Sequence, residues 1–165
     1  MAIIQLVTII QAPPARVFDL VRSVDAHQRS TSETGERAVE GVTSGLLGMN
    51  DKVTWEARHL DVRQRLTVRV TAFDRPNYLQ DVMVAGAFKT MCHDHRFVEI
   101  AAGTQMLDRF EFRSPCGLAG WLVDRLFLSG YMRRFLVRRN LELKQLAESA
   151  EWKKYVGKPG EQPNP

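Results

Sequence analysis

The sequence predicts an α+β domain in which an antiparallel sheet packs against a long C-terminal helix. From about residue 36 to residue 112, apolar and polar residues alternate, which is the period of half-buried strands. From Gly117 to about Ser149, the apolar residues recur instead at helical spacing. Because a sheet and an amphipathic helix must each bury an apolar face, we expect the helix to lie across the sheet.

The composition is that of one globular domain, with 165 residues of which 44% are hydrophobic and 25% are charged. A net charge of +4 is too small to predict nucleic-acid binding by itself. We see no secretory signal, and no apolar run approaches the roughly 20 residues that span a bilayer. Cys92 and Cys116 match no metal-binding spacing, so we expect free thiols and a cytoplasmic location.

The N-terminal segment predicts a strand followed by a helix. Ile3 to Ile10 is rich in β-branched residues, which favour strands. Two prolines follow, and proline is tolerated in a first helical turn. Val17, Leu20 and Val21 then lie at helical spacing and predict a helix of about three turns. The polar stretch from residue 25 to residue 32 could form a second short helix or a loop.

The middle of the chain predicts six strands that follow one another as a meander. Short turn-forming segments separate the alternating runs, an arrangement typical of antiparallel sheets. Glycines make residues 43–50 a flexible loop, and residues 74–77 and 101–103 are turns. The predicted strands are Glu36–Val42, Lys52–Leu60, Leu66–Ala72, Tyr78–Val84, Phe88–Phe97 and Thr104–Phe112.

The C-terminal part predicts one long amphipathic helix and a loose polar tail. We divide the chain into a ligand-binding domain over residues 1–149 and a flexible tail over residues 150–165. The pair Ser129-Gly130 is a usual site for a helix kink. An arc of roughly 140° on the helical wheel holds the apolar stripe. Its members are Leu118, Trp121, Leu122, Leu128, Met132, Phe135, Leu136, Leu143 and Leu146.

Several short motifs accompany this order of elements. They are Gly86-Ala87-Phe88, His93-Asp94-His95-Arg96-Phe97, Gly103-Thr104, Asp108 and Pro115-Cys116-Gly117. Over about residues 1–149 the chain resembles the START-like (SRPBCC, helix-grip) superfamily, and the motifs resemble a bacterial branch of polyketide cyclase/dehydrase-like proteins, some labelled cell-division inhibitors. The resemblance implies a curved sheet gripping the helix around a hydrophobic cavity. It implies no single reaction, because members include enzymes, carriers and receptors.

Two histidines on one predicted strand are the clearest functional lead. Side chains alternate along a strand, so Met91, His93, His95 and Phe97 share one face. If a four-residue loop from Ile100 to Gly103 closes the next hairpin, His95 lies opposite Asp108. A two-residue loop at Ala102-Gly103 would instead place Asp108 opposite Phe97, and a bulge would change which residues share a face.

The predicted His–Asp set has three interpretations. A carboxylate beside an imidazole holds its tautomer and raises its pKa, so His93 or His95 with Asp108 could act as general acid and base in a cyclisation or dehydration. The set could equally contact a polar group of a ligand. A buried His and Asp on adjacent strands often only satisfy each other. We expect no metal, because a His-x-His pair on a strand, even with Asp108 as a third ligand, is a weak signal.

We predict that the protein binds a small hydrophobic molecule between the sheet and the C-terminal helix. The alternatives are a cyclase/dehydratase-type enzyme that uses His93 or His95 with Asp108, and a protein-interaction domain whose cavity is vestigial. We expect no cofactor, and the sequence does not indicate the oligomeric state. The predicted ligand-binding residues are Trp55, Val70, Met91, His93, His95, Met106, Asp108, Phe110, Met132, Phe135 and Arg139.

Arginines mark the predicted C-terminal helix. Arg125 and Arg139 fall inside the apolar arc of an unbroken helix. There a guanidinium needs a partner such as Asp108, Glu56 or a ligand acid, unless a kink or snorkelling turns it outward. Four arginines between residues 133 and 139 make the helix basic. A solvated helix face whose arginines pair with acidic residues is the usual explanation. Peripheral contact of this face with an anionic membrane is the alternative. Because no aromatic platform for base stacking accompanies these arginines, we expect no nucleic-acid partner.

Overall fold

The described residues, 1–59, 62–114 and 127–157 of a computed structural model, fold as a strand, two short helices, six further strands, a long helix and a final short helix. Single 3₁₀ turns lie at Ser32–Thr34 and at Ala150–Trp152. The elements are β1 (Ala2–Ile10), α1 (Pro14–Val21), α2 (Val24–Ser30), β2 (Arg37–Gly41), β3 (Lys52–His59), β4 (Val62–Asp74), β5 (Tyr78–Ala85), β6 (Thr90–Ile100), β7 (Gly103–Arg113), α3 (Ser129–Glu148) and α4 (Lys153–Val156).

The strands form one seven-stranded sheet in the order β1-β7-β6-β5-β4-β3-β2, and all neighbours are antiparallel. Strands β2 to β7 follow the chain, so the predicted meander is confirmed. β1 joins the sheet beside β7, with Ile4 opposite Phe110. The α+β class with an antiparallel sheet against a C-terminal helix is therefore confirmed.

The hairpin between β6 and β7 sets the register of the site. Ile100 pairs with Gly103, so only two alanines connect the strands, and His95 lies opposite Asp108. The register is the one that we expected for a loop from Ile100 to Gly103. Ile100 and Gly103 also pair with each other, so the loop is two residues shorter than expected. Gly103 has φ +126°, and a Cβ there would lie 2.4 Å from the carbonyl oxygen of Ile10. The turn therefore requires glycine.

Helix α3 packs against β1, α1 and α2. The Lys144 ammonium donates a hydrogen bond to the carbonyl of Ile9 at 2.7 Å, which ties the helix to the first strand. The part of the predicted stripe at Leu118, Trp121 and Leu122, together with Arg125 and Cys116, lies outside the described residues, and so does one side of the proposed kink. The buried side chains of α3 are Met132, Leu136, Arg139, Asn140, Leu143, Leu146 and Ala147.

The segment after α3 is more ordered than the loose tail that we predicted. Residues 150–156 form a 3₁₀ turn and α4, and Trp152, Tyr155 and Val156 pack against the core. The Ser23 hydroxyl donates to the carbonyl of Tyr155 at 2.8 Å. The prediction of a loose tail was wrong for residues 150–156, because three large side chains in this polar stretch pack against the hydrophobic core. Residues 158–165 lie outside the described part, and the domain division stays a prediction.

Candidate functional site

A pocket of about 340 Å³ lies between the sheet and α3. Two of the predicted ligand-binding residues are absent from its wall. Met106 is fully buried in the core, and Asp108 lies behind the histidines, which separate it from the pocket. Ligand contact by the remaining residues stays a prediction. The predicted residues found in the wall are Trp55, Val70, Met91, His93, His95, Phe110, Met132, Phe135 and Arg139.

Sequence reasoning missed several polar residues of the pocket. Asp81 of β5 lies in the wall, opposite His93 in the strand register. Its alternation with Leu79 could have placed it on this face, since Leu79 is the clear core position of that strand. His27 of α2 also lies in the wall, where its ring stacks on Trp55 at a centroid distance of 4.0 Å. Nothing in the local pattern of α2 predicted this contact.

A chain of buried hydrogen bonds fixes His95. Its Nδ1 donates to the Asp108 carboxylate at 2.6 Å. The other oxygen of that carboxylate accepts from the Asn140 amide on α3 at 2.7 Å, and the same amide donates to the Thr8 hydroxyl at 3.3 Å. The His95 ring is 2% exposed. Side chains of β7, α3 and β1 therefore hold the imidazole of β6 in one orientation.

His93 and Asp81 complete the polar end of the pocket. The His93 and His95 rings lie against each other, with centroids 3.9 Å apart. His93 Nε2 lies 3.3 Å from Asp108 Oδ1, but this buried nitrogen has no hydrogen-bond partner among the described residues. Asp81 Oδ1 lies 3.8 Å from His95 Nε2. Two imidazoles and two carboxylates therefore face one another at this end of the pocket.

Arg139 is buried in the pocket wall, at 5% exposure, so it does not snorkel. Its guanidinium makes one long hydrogen bond, from Nη1 to the Asn140 side-chain oxygen at 3.5 Å. Its Nε finds no acceptor in the part of the chain that the structure describes. Of the two predicted partners, Asp108 is reached only through Asn140, and Glu56 is engaged by Arg65.

Burial and neighbouring charges separate the pKa values of the two imidazoles. Burial, together with repulsion from His95, lowers the pKa of His93 to about 4. Burial also opposes charge on His95, but the carboxylates of Asp108 and Asp81 outweigh it and raise the pKa of His95. For Asp108, burial favours the neutral acid, yet the two imidazoles hold its pKa well below the ordinary range. At neutral pH, His93 is neutral and Asp108 is a carboxylate.

The two histidines and two aspartates can exchange a proton, form hydrogen bonds with a ligand or coordinate a metal ion. With Nδ1 held by Asp108, the Nε2 of His95 is the ring atom left for a ligand, a proton or an ion. Asp81, His93 and His95 each offer one ligand atom, and these atoms lie within 4.8 Å of one another. A transferred proton, a ligand hydroxyl and a cation are therefore chemically suited to this end of the pocket.

Comparison with known proteins assigns the fold to a family. Residues 1–148 match the family model described as "Polyketide cyclase / dehydrase and lipid transport". The chain belongs to this family. The predicted START-like superfamily is thereby confirmed, and the match covers nearly the whole domain that we expected. No curated protein matches the chain.

Solved structures of several other proteins share the helix-grip fold. TTHA0849 from Thermus thermophilus is 17% identical, with a TM-score of 0.72 over 87% of this chain and 95% of that one. CV1439 from Chromobacterium violaceum is 12% identical, with a TM-score of 0.72 over 90% and 99%. Ginseng major latex-like protein 151 is 13% identical, with a TM-score of 0.66 over 90% and 98%. At these identities the likeness concerns the fold alone.

No helix among the described residues is long and apolar enough to cross a membrane. Cys92 is a free thiol, and burial raises its pKa to about 11. That shift keeps the thiol protonated and makes it a poor nucleophile.

Proposed function

We propose that this protein binds a small hydrophobic molecule in the pocket between its sheet and α3. The observation that carries the proposal is the pocket itself, whose volume of about 340 Å³ falls in the range of small-molecule sites. Its wall is mostly apolar, with Trp55, Val70, Phe110 and Met132 among its members. The family description, which names lipid transport, supports the same proposal. A pocket of this size argues against a vestigial cavity in a domain that binds only proteins.

The polar end of the pocket indicates an amphiphilic ligand. Among the described residues, the Arg139 Nε and the His93 Nε2 in or beside the wall have no hydrogen-bond partner, and a buried polar atom without a partner costs about 1–3 kcal/mol. A ligand oxygen placed there would satisfy such groups, while its hydrocarbon part would cover the apolar wall. A molecule with one polar group on an apolar body fits both features.

Binding can be tested with the natural ligand and with a probe. Native mass spectrometry of protein purified from its host should reveal a co-purifying lipophilic molecule. A fluorescent apolar dye such as anilinonaphthalene sulfonate should bind in its place. Val70→Phe adds bulk to the pocket wall and should weaken dye binding about tenfold, which is about 1.4 kcal/mol.

The matched control is Val98→Phe, because Val98 lies in the same sheet but is 46% exposed. Dye binding by this variant should equal that of the wild type. Equal affinity of the Val70 and Val98 variants, with no co-purifying molecule, would mean that the pocket is not a ligand site.

A second candidate function is cyclisation or dehydration of a carbonyl substrate. It is favoured by the Asp108–His95 pair at 2.6 Å, because that pair would let His95 act as a general base toward the pocket. The bound molecule would be incubated with the protein and followed by mass spectrometry for loss of water. His95→Gln should abolish turnover in an enzyme but only weaken binding in a carrier. A molecule that stays chemically unchanged on the wild-type protein excludes the enzyme.

A further inference from the structure

We propose that Asp81, His93 and His95 form a binding site for a divalent transition-metal ion such as Zn²⁺, at the polar end of the pocket. One ligand atom from each residue lies within 4.8 Å of the other two. The strand register produces this cluster, because Asp81 pairs with His93 across β5 and β6, and His95 follows two residues later on the same face. Two imidazoles and one carboxylate are a donor set that such ions accept.

The spacing of the donor atoms fits coordination better than direct hydrogen bonding. His95 Nε2 and Asp81 Oδ1 lie 3.8 Å apart, which is too far for a hydrogen bond. Ligand bonds of about 2.0–2.1 Å at a tetrahedral angle put two ligand atoms about 3.4 Å apart. A shift of a few tenths of an ångström would therefore bring both atoms onto one ion.

The hydrogen bonds behind His95 match those that support metal-bound imidazoles. Asp108 accepts from Nδ1 at 2.6 Å, which leaves the Nε2 lone pair directed away from the carboxylate. Asn140 in turn holds Asp108 from the helix side at 2.7 Å. Asp108 is thus a positioning residue, and Asp81 takes the place of the third ligand that the sequence offered at Asp108.

The unpartnered nitrogen of His93 is an independent observation that points to an ion. His93 is 7% exposed, and its Nε2 has no hydrogen-bond partner among the described residues. Leaving such an atom buried and unpaired is unfavourable. An ion shared with Asp81 and His95 would satisfy it. The nearby charges agree, because the carboxylates of Asp81 and Asp108 outnumber the guanidinium of Arg139 at this end of the pocket.

Three protein ligands leave a fourth position on a tetrahedral ion. Because both histidines and Asp81 lie in the pocket wall, that position would be open to a molecule in the pocket or to water. The site would therefore coordinate a ligand oxygen beside the apolar wall. The proposal does not depend on the identity of the hydrophobic ligand, since the ion is bound by the chain itself.

Cobalt provides a direct test, because Co²⁺ bound in a nitrogen- and oxygen-containing site has visible absorption. The full chain, stripped with EDTA and dialysed, would be titrated with CoCl₂, and Zn²⁺ content would be measured separately by mass spectrometry. We expect one ion per chain. Asp81→Asn and His93→Gln should each weaken Co²⁺ binding at least about tenfold, and Asp108→Asn should weaken it about 10–100-fold through loss of the outer contact.

Two matched controls make the same Asp→Asn and His→Gln substitutions at positions outside the proposed metal site. Asp94→Asn alters the neighbouring face of β6, where Asp94 contacts Tyr78 and Gln80, and His27→Gln alters a histidine elsewhere in the same wall. Both should bind Co²⁺ as the wild type does. Thermal melts of the stripped variants show whether each is folded. If His93→Gln fails to fold, Co²⁺ binding by Asp81→Asn tests the site, because Asp81 is partly exposed.

Failure to bind one Co²⁺ per chain, or wild-type binding by Asp81→Asn, overturns the proposal. Binding lost in His27→Gln but kept in the Asp81 variant would assign the ion to another part of the pocket wall and overturn it as well. Dye binding to the stripped wild type is measured in parallel, so that a missing metal site and a missing ligand site give different results.

Discussion

Asp108 is the side chain on which the polar contacts of the site converge. It is buried at 3% exposure and accepts hydrogen bonds from His95 and Asn140. Removing one partner of a buried charged pair costs about 3–5 kcal/mol, because the other partner stays buried without compensation. We therefore expect Asp108→Asn to lower the free energy of unfolding at pH 7 by about that amount, measured by urea denaturation in EDTA. The exposed Asp74→Asn is the control and should change it by less than about 0.5 kcal/mol.

The same substitution gives a pH dependence with a defined sign. The folded protein holds the pKa of Asp108 well below its ordinary value of about 3.9. A carboxyl group of this kind stabilises the fold above its unfolded pKa, and that contribution is lost as pH falls through the folded pKa. The stability difference between wild type and Asp108→Asn should therefore narrow below about pH 4. A difference that stays constant would contradict the assignment.

Tyr78 provides a second side-chain prediction, away from the pocket. Burial, and the hydrogen bond that its hydroxyl donates to Asp94 at 2.5 Å, raise the pKa of Tyr78 to about 12. The unfolded phenol loses its proton near pH 10, so the folded state becomes less stable as pH rises above about 10. The stability advantage of wild type over Tyr78→Phe should shrink between about pH 10 and pH 12. Asp94→Asn should reduce this pH dependence, since it removes the carboxylate partner.

Among the secondary-structure elements, the β6–β7 hairpin determines most of the site. Its turn depends on Gly103, where φ is +126° and an added Cβ would lie 2.4 Å from the Ile10 carbonyl oxygen. Gly103→Ala should therefore lower the free energy of unfolding by about 3 kcal/mol or more, from backbone strain and collision together. Gly35 also has positive φ, at +61°, but open space around it, so Gly35→Ala should cost only about 1–2 kcal/mol. Equal losses in denaturant melts would exclude the collision.

The strands were easier to predict than their ends. The sequence pattern identified β3, β5 and β7 to within about one residue of their observed bounds. β4 extends beyond the expected range at both ends, whereas β6 begins two residues later than expected and continues to Ile100, because neighbouring strands continue the hydrogen-bonded ladders there. The helical segment at residues 150–156 was missed because it forms through contacts with distant side chains.

For the molecule as a whole, an interior pocket should couple ligand binding to stability. A dye that binds only the folded state adds about 2.7 kcal/mol at one hundred times its Kd. For a domain of this size each kcal/mol raises Tm by about 2–4 °C, so we expect a rise of several degrees by scanning calorimetry. Val70→Phe should reduce the rise, whereas Val98→Phe should not. Identical rises in both variants would place the dye outside the pocket.

The site was only partly predictable. The shared face of His93 and His95 follows from strand alternation alone. The pairing of His95 with Asp108 depended on the hairpin, for which the sequence allowed more than one register. Asp81 and Asn140 were not predicted, because they come from a third strand and from the helix, and no local pattern links these elements to the histidines.

The sequence by itself determined the periodicities, and with them the strands, the long helix and the face on which each histidine lies, because these follow from the alternation of side chains along a single segment. Only the tertiary structure decided which polar groups meet, that Arg139 is buried rather than turned outward, and that β1 pairs with β7. Those outcomes depend on the packing of segments far apart in the chain, where small changes in register or crossing exchange one neighbour for another.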